Sequence, residues 1–515
     1  MQGCIVLGVL LATSAAGAQE VPGGPMPEKM IGMYVHQHWA YKHPYAARTW
    51  TLEDWRGYAD GLHRLGYNTV MIWPVLETVP EPPTPSDRAN IEKIAQVIDL
   101  LHNEFGMKAL LTISPNAAAK SDVAAKYTFE ERPFFYCDFR VDPGDAVALG
   151  RMIAWREELL RPLARMDGLV IIDSDPGGYP GSTALEFVYL LSAHRKMLDR
   201  LRPGIELTYW IHVGWEAYCR YYATAEFAMG PDEEIADTVR LLAAQHPEPW
   251  GLTGGRLPAI IAMGQGGRMF SFPYGAIEGE PSFPMTNFGG DGAYNTGKSP
   301  GPRGIMGNAQ THCVQLPNTF AFARGAQGLP CAEADYLQFA QDLLPGHGET
   351  ILAAWRALSG VDAAQMAEAK SKLAAMAAGP LTPGPLKGLL LGEPQRFVND
   401  LLMQLDLRAT LEAFHAAVFA EPLDKAQTAA SLAAFVAAAE AWQGQHGYKN
   451  NWYWPRMEEA LRKLDNKDVN KALDARDYTG EGSTPFEKVQ SGFYQVETYT
   501  PGLIDAMKRA LGTLR

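Results

Sequence analysis

Two acids close one of the apolar runs of this chain. In Asp167-Gly-Leu-Val-Ile-Ile-Asp173-Ser-Asp175 the pair Asp173 and Asp175 is separated by a single serine. Residues i and i+2 of an extended segment share a face, so the two carboxylates point the same way. Carboxylates that close repel, and one of them should hold its proton to higher pH. A carboxyl of that kind can protonate a leaving oxygen. Pro176-Gly177-Gly178 follows, and glycines let a backbone approach a ligand closely. A second acidic locus, Glu278 and Glu280, lies in the segment FPYGAIEGEPSFP.

The elements that position these residues are strands alternating with helices. Strands are expected at Met30–Val35, Asn68–Trp73, Lys108–Ile113, Gly168–Ile172, Ile205–Ile211, Pro249–Leu252, Arg268–Phe272 and Gly304–Asn308. Helical stretches separate most of them, among them Leu52–Leu65, Arg88–Phe105, Asp145–Arg165, Thr183–Leu201 and Asp232–Gln245. Eight such units imply an α/β fold, a (β/α)8 TIM barrel over residues 28–330. After Cys331 the strand-like runs stop. Helical spacing takes over in Ala353–Leu358, Ala363–Ala378, Phe397–Phe419 and Ala426–Trp442, broken by the Pro/Gly segment Gly379–Gly388. Residues 331–515 are therefore expected to form an all-helical C-terminal domain. Its aromatic segment Tyr448–Trp454 is expected to plug against the barrel.

Barrel enzymes carry their chemistry just past the strand C-termini. That rule adds His36 and His38, Trp73 and Glu77, Asn116, His212, Tyr274, Asn308 and Gln310 to the acids, as substrate-binding candidates. Amides, acids and histidines hydrogen-bond hydroxyl groups, and aromatic faces cover the C–H faces of sugar rings. The mixture points to a carbohydrate substrate.

The segment Leu62–Pro74, LHRLGYNTVMIWP, looks like the opening of many (β/α)8 glycoside hydrolases. The acidic pair on the fourth strand resembles that of substrate-assisted N-acetylhexosaminidases and chitinase-like barrels. The resemblance spans roughly residues 30–330 and is one of superfamily. It implies that Asp173 orients an acetamido group and Asp175 acts as general acid, with no cofactor. Many retaining glycosidases place a nucleophilic Glu after the seventh strand, which implies Asp175 paired with Glu278 or Glu280 instead, the carboxyl separation deciding between retention and inversion. An exported glycoside hydrolase acting on an extracellular glycan is the expectation, its sugar N-acetylated or acidic.

A second pattern competes. His36-x-His38 after the first strand resembles the metal pair of amidohydrolases, His212 matches a further ligand position, and Asp173 or Asp175 would bridge metals. The segment WGLTGG brings no histidine after the sixth strand, and the eighth strand ends in Asn308. No metal is therefore assigned. A noncatalytic carbohydrate-binding barrel is a third option.

Composition bounds the rest. The chain has 515 residues, 47% hydrophobic and 20% charged, with a formal net charge of −13, which argues against a general nucleic-acid partner. Residues 1–18, an apolar run ending Ala16-Gly17-Ala18, read as a signal peptide, implying a secreted or periplasmic protein with no membrane span once it is cut. The cysteines beyond it, Cys137, Cys219, Cys313 and Cys331, form no CxxC pair and are expected as buried free thiols. Oligomeric state is not encoded in any pattern here.

Overall fold

The computed structural model describes residues 29–39, 41–132, 139–174, 177–224, 228–245, 247–278, 286, 288, 292–447, 455–474 and 503–514. Eight parallel strands close a barrel in chain order. They are β1 Met30–His36, β2 Thr69–Trp73, β3 Lys108–Ile113, β4 Gly168–Ile172, β5 Glu206–Ile211, β6 Trp250–Gly254, β7 Met269–Ser271 and β8 Gly304–Asn308. Closure runs through β1 and β8, with Tyr34 opposite Asn308. Parallel barrel strands are covered on both faces, so they read as continuous apolar runs; this is why the expected strands and the observed ones agree within a residue or two.

The helices start where short polar side chains can satisfy free N–H groups. Thr51 with Asp54, Thr84 with Asp87 and Thr183 with Glu186 form reciprocal capping boxes. Each such cap contributes about 1 kcal/mol. Asp87 also takes a bidentate bond from the buried Arg132 at 2.7 and 3.1 Å, tying the loop after β3 to the helix after β2. A short antiparallel ladder, Ala117–Ala118 with Phe139–Arg140, lies in that same loop.

Beyond the barrel the described chain is helical: Glu333–Leu343, Gly348–Ser359, Ala363–Ala377, Pro394–Val418, Lys425–His446, Pro455–Lys463, Lys467–Asp474 and Leu503–Leu514. Its packing is not separate from the barrel. One apolar core runs from Met33 through the barrel to Leu405, and a second joins Leu407 to Ala510. At the joint, Gly57 and Gly388 pack backbone to backbone, and a Cβ on Gly388 would collide with the Gly57 carbonyl. The loop after β1 is also held: Tyr45 Oη donates to Asp400 at 2.7 Å and its ring stacks on His446 at 3.5 Å. Among the described residues no helix is long and apolar enough to cross a membrane. Cys219 and Cys313 are free and buried. Residues 1–18, Cys137 and Tyr448–Trp454 lie outside the described residues.

Candidate active site at the barrel mouth

Strand register decides which side chains reach the barrel axis. Cα partners in a sheet share a face, so the pairs His36 with Trp73, Ile172 with Trp210, and Trp210 with Thr253 put His36, Trp73, Trp210 and Thr253 inward. The ring contacts agree. Tyr34, Trp73, Trp210 and Phe272, from four strands or their ends, meet edge to face or tilted at centroid distances of 4.5–6.4 Å. They form an aromatic floor. Above it, continuing the same alternation, stand His36, His38, Ser114, Ser174, His212, Tyr274, Asn308 and Gln310. Tyr274 is 42% exposed and marks the rim, whereas Ser114, Ser174 and Asn308 are fully buried.

The phase of β4 corrects the expectation for Asp173. Ile172 faces the axis, so Ser174 does too, and Asp173 points away from it. Its carboxylate accepts from Tyr209 Oη at 2.9 Å and from the backbone N–H groups of His212, Val213 and Gly214 at 3.0–3.3 Å. Asp173 thereby fixes the segment after β5 and has no capacity left to orient an acetamido group. Burial raises its pKa, against the opposing pull of the neighbouring His212 and these hydrogen bonds. Asp175 lies outside the described residues.

Glu278 is corrected in the same way. Its own N–H bonds to Asn308 O at 2.8 Å. Its carboxylate accepts from the Gln310 and Thr311 N–H groups at 2.8 and 2.6 Å, from Thr311 Oγ1 at 2.7 Å and from Gln315 Nε2 at 2.9 Å. A carboxylate with four donors is a brace for the turn after β8, and it is not poised as a nucleophile. Burial outweighs those donors and still raises its pKa. Glu280 lies outside the described residues.

The histidines after β1 form a network. Trp39 Nε1 donates to Gln310 Oε1 at 2.8 Å and to His36 Nε2 at 3.1 Å. Nδ1 of His36 faces Nδ1 of His38 in a short contact, so one of the two rings donates there and the other accepts. Both rings are neutral: burial drives His36 down to about 3 and His38 well below the usual histidine range. The segment is caged from behind by the buried Arg48, which donates to the carbonyls of Gln37 and His38 at 2.8 Å each.

Trp73 is fixed by Glu77. The indole N–H donates to Glu77 Oε1 at 2.7 Å. Between them Val75 adopts φ 54°, ψ 39°, a left-handed conformation that is strained for a β-branched residue. That turn starts the short helix Leu76–Thr78 and returns Glu77 to the N–H edge of the ring. Burial pushes the Glu77 carboxyl up to about 7. Asn116 is a brace as well, donating to Val141 O at 2.8 Å and Gly178 O at 3.0 Å. Asn308 Nδ2 donates to Tyr274 O at 2.7 Å.

Sequence reasoning passed over Ser174 as a spacer between two acids. The structure brings it to His212, with Oγ 2.8 Å from Nδ1. Trp210 was also missed, although its place one residue before the end of β5 fits the alternation that ends in His212. The triad required by the metal reading is not assembled. His36 and His38 are engaged with each other, His212 with Ser174, and the described residues hold no group of three or more His, Cys, Asp or Glu that could share an ion.

No family model matches the chain, and no curated protein matches it either. Solved structures do. A family 138 glycoside hydrolase targeting pectin rhamnogalacturonan II superposes with a TM-score of 0.47 at 8% identity, over 87% of this chain and 68% of that one. A family 115 4-O-methyl-α-glucuronidase with specificity for decorated arabinogalactans gives 0.42 at 10% identity, over 83% and 59%. The N-acetylneuraminate lyase of Aliivibrio salmonicida gives 0.32 at 12%, over 74% and 98%. These are distant likenesses of fold, shared between glycoside hydrolases and a barrel of other chemistry.

Proposed function

We propose that the barrel mouth is the active site of a glycoside hydrolase. The observation that carries the reading is a set of buried polar atoms at the strand ends with no hydrogen-bond partner among the described residues. Ser114 Oγ and Asn308 Oδ1 are of this kind, on the inward face beside Trp73, Trp210 and Tyr274. An unmet buried polar atom costs about 1–3 kcal/mol. A polyhydroxylated ligand satisfies such atoms while its C–H faces lie on the rings. Stacking surface beside unmet hydrogen-bonding capacity is what a sugar needs.

The acid chemistry in this reading falls to Asp175 and Glu280. Asp173 and Glu278 are spent on bracing, and each stands two residues before one of these acids in the sequence. Asp175 is the general acid, and Glu280 the nucleophile or base. Export through residues 1–18 belongs to the same proposal.

The test is a panel of glycosides assayed with the wild type, Asp175→Asn and Glu280→Gln. Asp175→Asn should lose turnover of unactivated glycosides and keep activity on aryl glycosides, whose leaving groups need no proton. Glu280→Gln should lose both. Wild-type rates in both variants would remove these two acids from the chemistry.

A further inference from the structure

The loop after β1 is tied to the end of one helix of the C-terminal region. Lys42 N–H donates to His446 O at 2.6 Å, and Lys42 Nζ donates to Gly444 O at 2.5 Å. Gly447 ends that helix, Lys425–His446, at φ 92°, and packs so closely on Lys42 that a Cβ there would collide with it. Rings close the tie. His446 is 1% exposed. Its ring stacks on Tyr45, meets Tyr41 edge to face at 5.4 Å and lies 4.5 Å from Trp442. Among the described residues, neither His446 nitrogen has a hydrogen-bond partner.

Those unmet nitrogens decide which charge state the tie accepts. A buried neutral imidazole without partners forfeits two hydrogen bonds. An imidazolium there also forfeits its hydration, and it must be paired to stay. The charged groups around it are already committed. From the helix Pro394–Val418, Asp400 accepts from Tyr45 at 2.7 Å and pairs with Arg396. Arg396 lies over the Tyr45 ring, 5.6 Å from its centroid. The one acid is thus taken, and the ring that could face a second cation already holds one. Lys42 adds a further positive charge. The phenols Tyr41 and Tyr45 offer no anion, nor does the Cys313 thiol, which burial raises to about 12. We propose that His446 is an acid-sensitive latch, docked on Tyr45 when neutral and released from residues 41–50 when protonated. That segment follows His38 and Trp39, so release loosens one wall of the barrel mouth. The Gly57–Gly388 seam carries no titratable side chain and stays closed.

The direction with pH follows from burial, which holds docked His446 well below the ordinary 6.5, with Arg396 pushing the same way. A released ring titrates near 6.5, so the tie is fully made above that pH and weakens as pH falls beneath it. At pH 5 the docking equilibrium loses about 30-fold on this account. Asp400 opposes the change. Burial raises it to about 6, so its protonation favours the docked state and returns at most about 10-fold.

Hydrogen exchange of the full chain, read by mass spectrometry and corrected for intrinsic rates, tests the latch at pH 7.5 and pH 5. Protection of residues 41–50 and of the last turn of Lys425–His446 should fall by about 3- to 30-fold at pH 5, while β4 keeps its protection. His446→Phe cannot be protonated and should keep the segment protected at pH 5. His446→Gln is read in the same way should the larger ring not fit, with thermal melting at pH 7.5 as the check on folding. Unchanged wild-type protection would overturn the proposal without any variant. An equal loss in wild type and variants would overturn it too, by assigning release to another group. No arm of the test uses a substrate, so the proposed function stands or falls separately.

Discussion

Glu77 accepts the indole N–H of Trp73, its Oε1 2.7 Å from the nitrogen, so a titratable group with a pKa of about 7 fixes an aromatic surface of the mouth. The sign of the linkage follows. The folded-state value lies above the ordinary 4.5, so the folded protein binds the proton more tightly. Stability on this account is greatest below pH 4.5, falls as pH rises toward 7, and is level above that. The full difference corresponds to about 3 kcal/mol. Glu77→Gln should abolish this slope in urea denaturation and melt higher than wild type at pH 8. A variant with the wild-type pH profile would contradict the burial argument.

Asp173→Asn should destabilise nearly as much as Asp173→Ala, by about 2–4 kcal/mol. The amide would offer one acceptor oxygen to donors that now share two, and would set an NH2 group against backbone N–H. Chemical denaturation checks this. An Asn variant as stable as wild type would mean that the carboxylate charge is not needed at this brace.

Glu278→Ala and Glu280→Gln should separate structure from chemistry. The first should lower the melting temperature, because Gln310 N–H, Thr311 and Gln315 lose their acceptor. The second should leave melting near wild type and remove turnover. The opposite pattern would return Glu278 to the catalytic list.

Tyr45→Phe should cost about 1–2 kcal/mol at neutral pH by removing the bond to Asp400. Burial raises Asp400 to about 6, so the loss should shrink near pH 4, where the acceptor is protonated. Because Tyr45 belongs to the loop that follows His38 and Trp39, KM should rise more than kcat falls.

Dialysis against a chelator should leave turnover unchanged. His36 Nδ1 and Nε2 are engaged by His38 and Trp39, and His212 Nδ1 by Ser174. Activity lost on chelation and regained with added zinc would restore the metal reading.

The barrel was legible because its strands are apolar on both faces and its helices carry recognisable N-caps. Lys108–Ile113, Gly168–Ile172 and Gly304–Asn308 have the bounds expected of them. The phase of a strand end was not legible. Alternation says that Asp173 and Ser174 face opposite ways, but which of them faces the axis is set by the pairing of Ile172 with Trp210, a tertiary fact. For the same reason Ser174 looked like a spacer. The role of Glu278 was hidden by distance, since its donors lie 32–37 residues further on. His36 ends β1 and His38 follows it, but their mutual contact has no sequence signal.

Gly57 and Gly388 meet with no side chain between them. Side chains at a joint act as bearings: they change rotamer and let two bodies rock. A seam of bare backbone has no such play, because any sliding must break main-chain van der Waals contact at once. The barrel and the first of the following helices should therefore tumble as one particle. Adjustment of the mouth to its ligand would then come from rotamers at the strand ends, chiefly the half-exposed Tyr274, and not from opening and closing of two lobes.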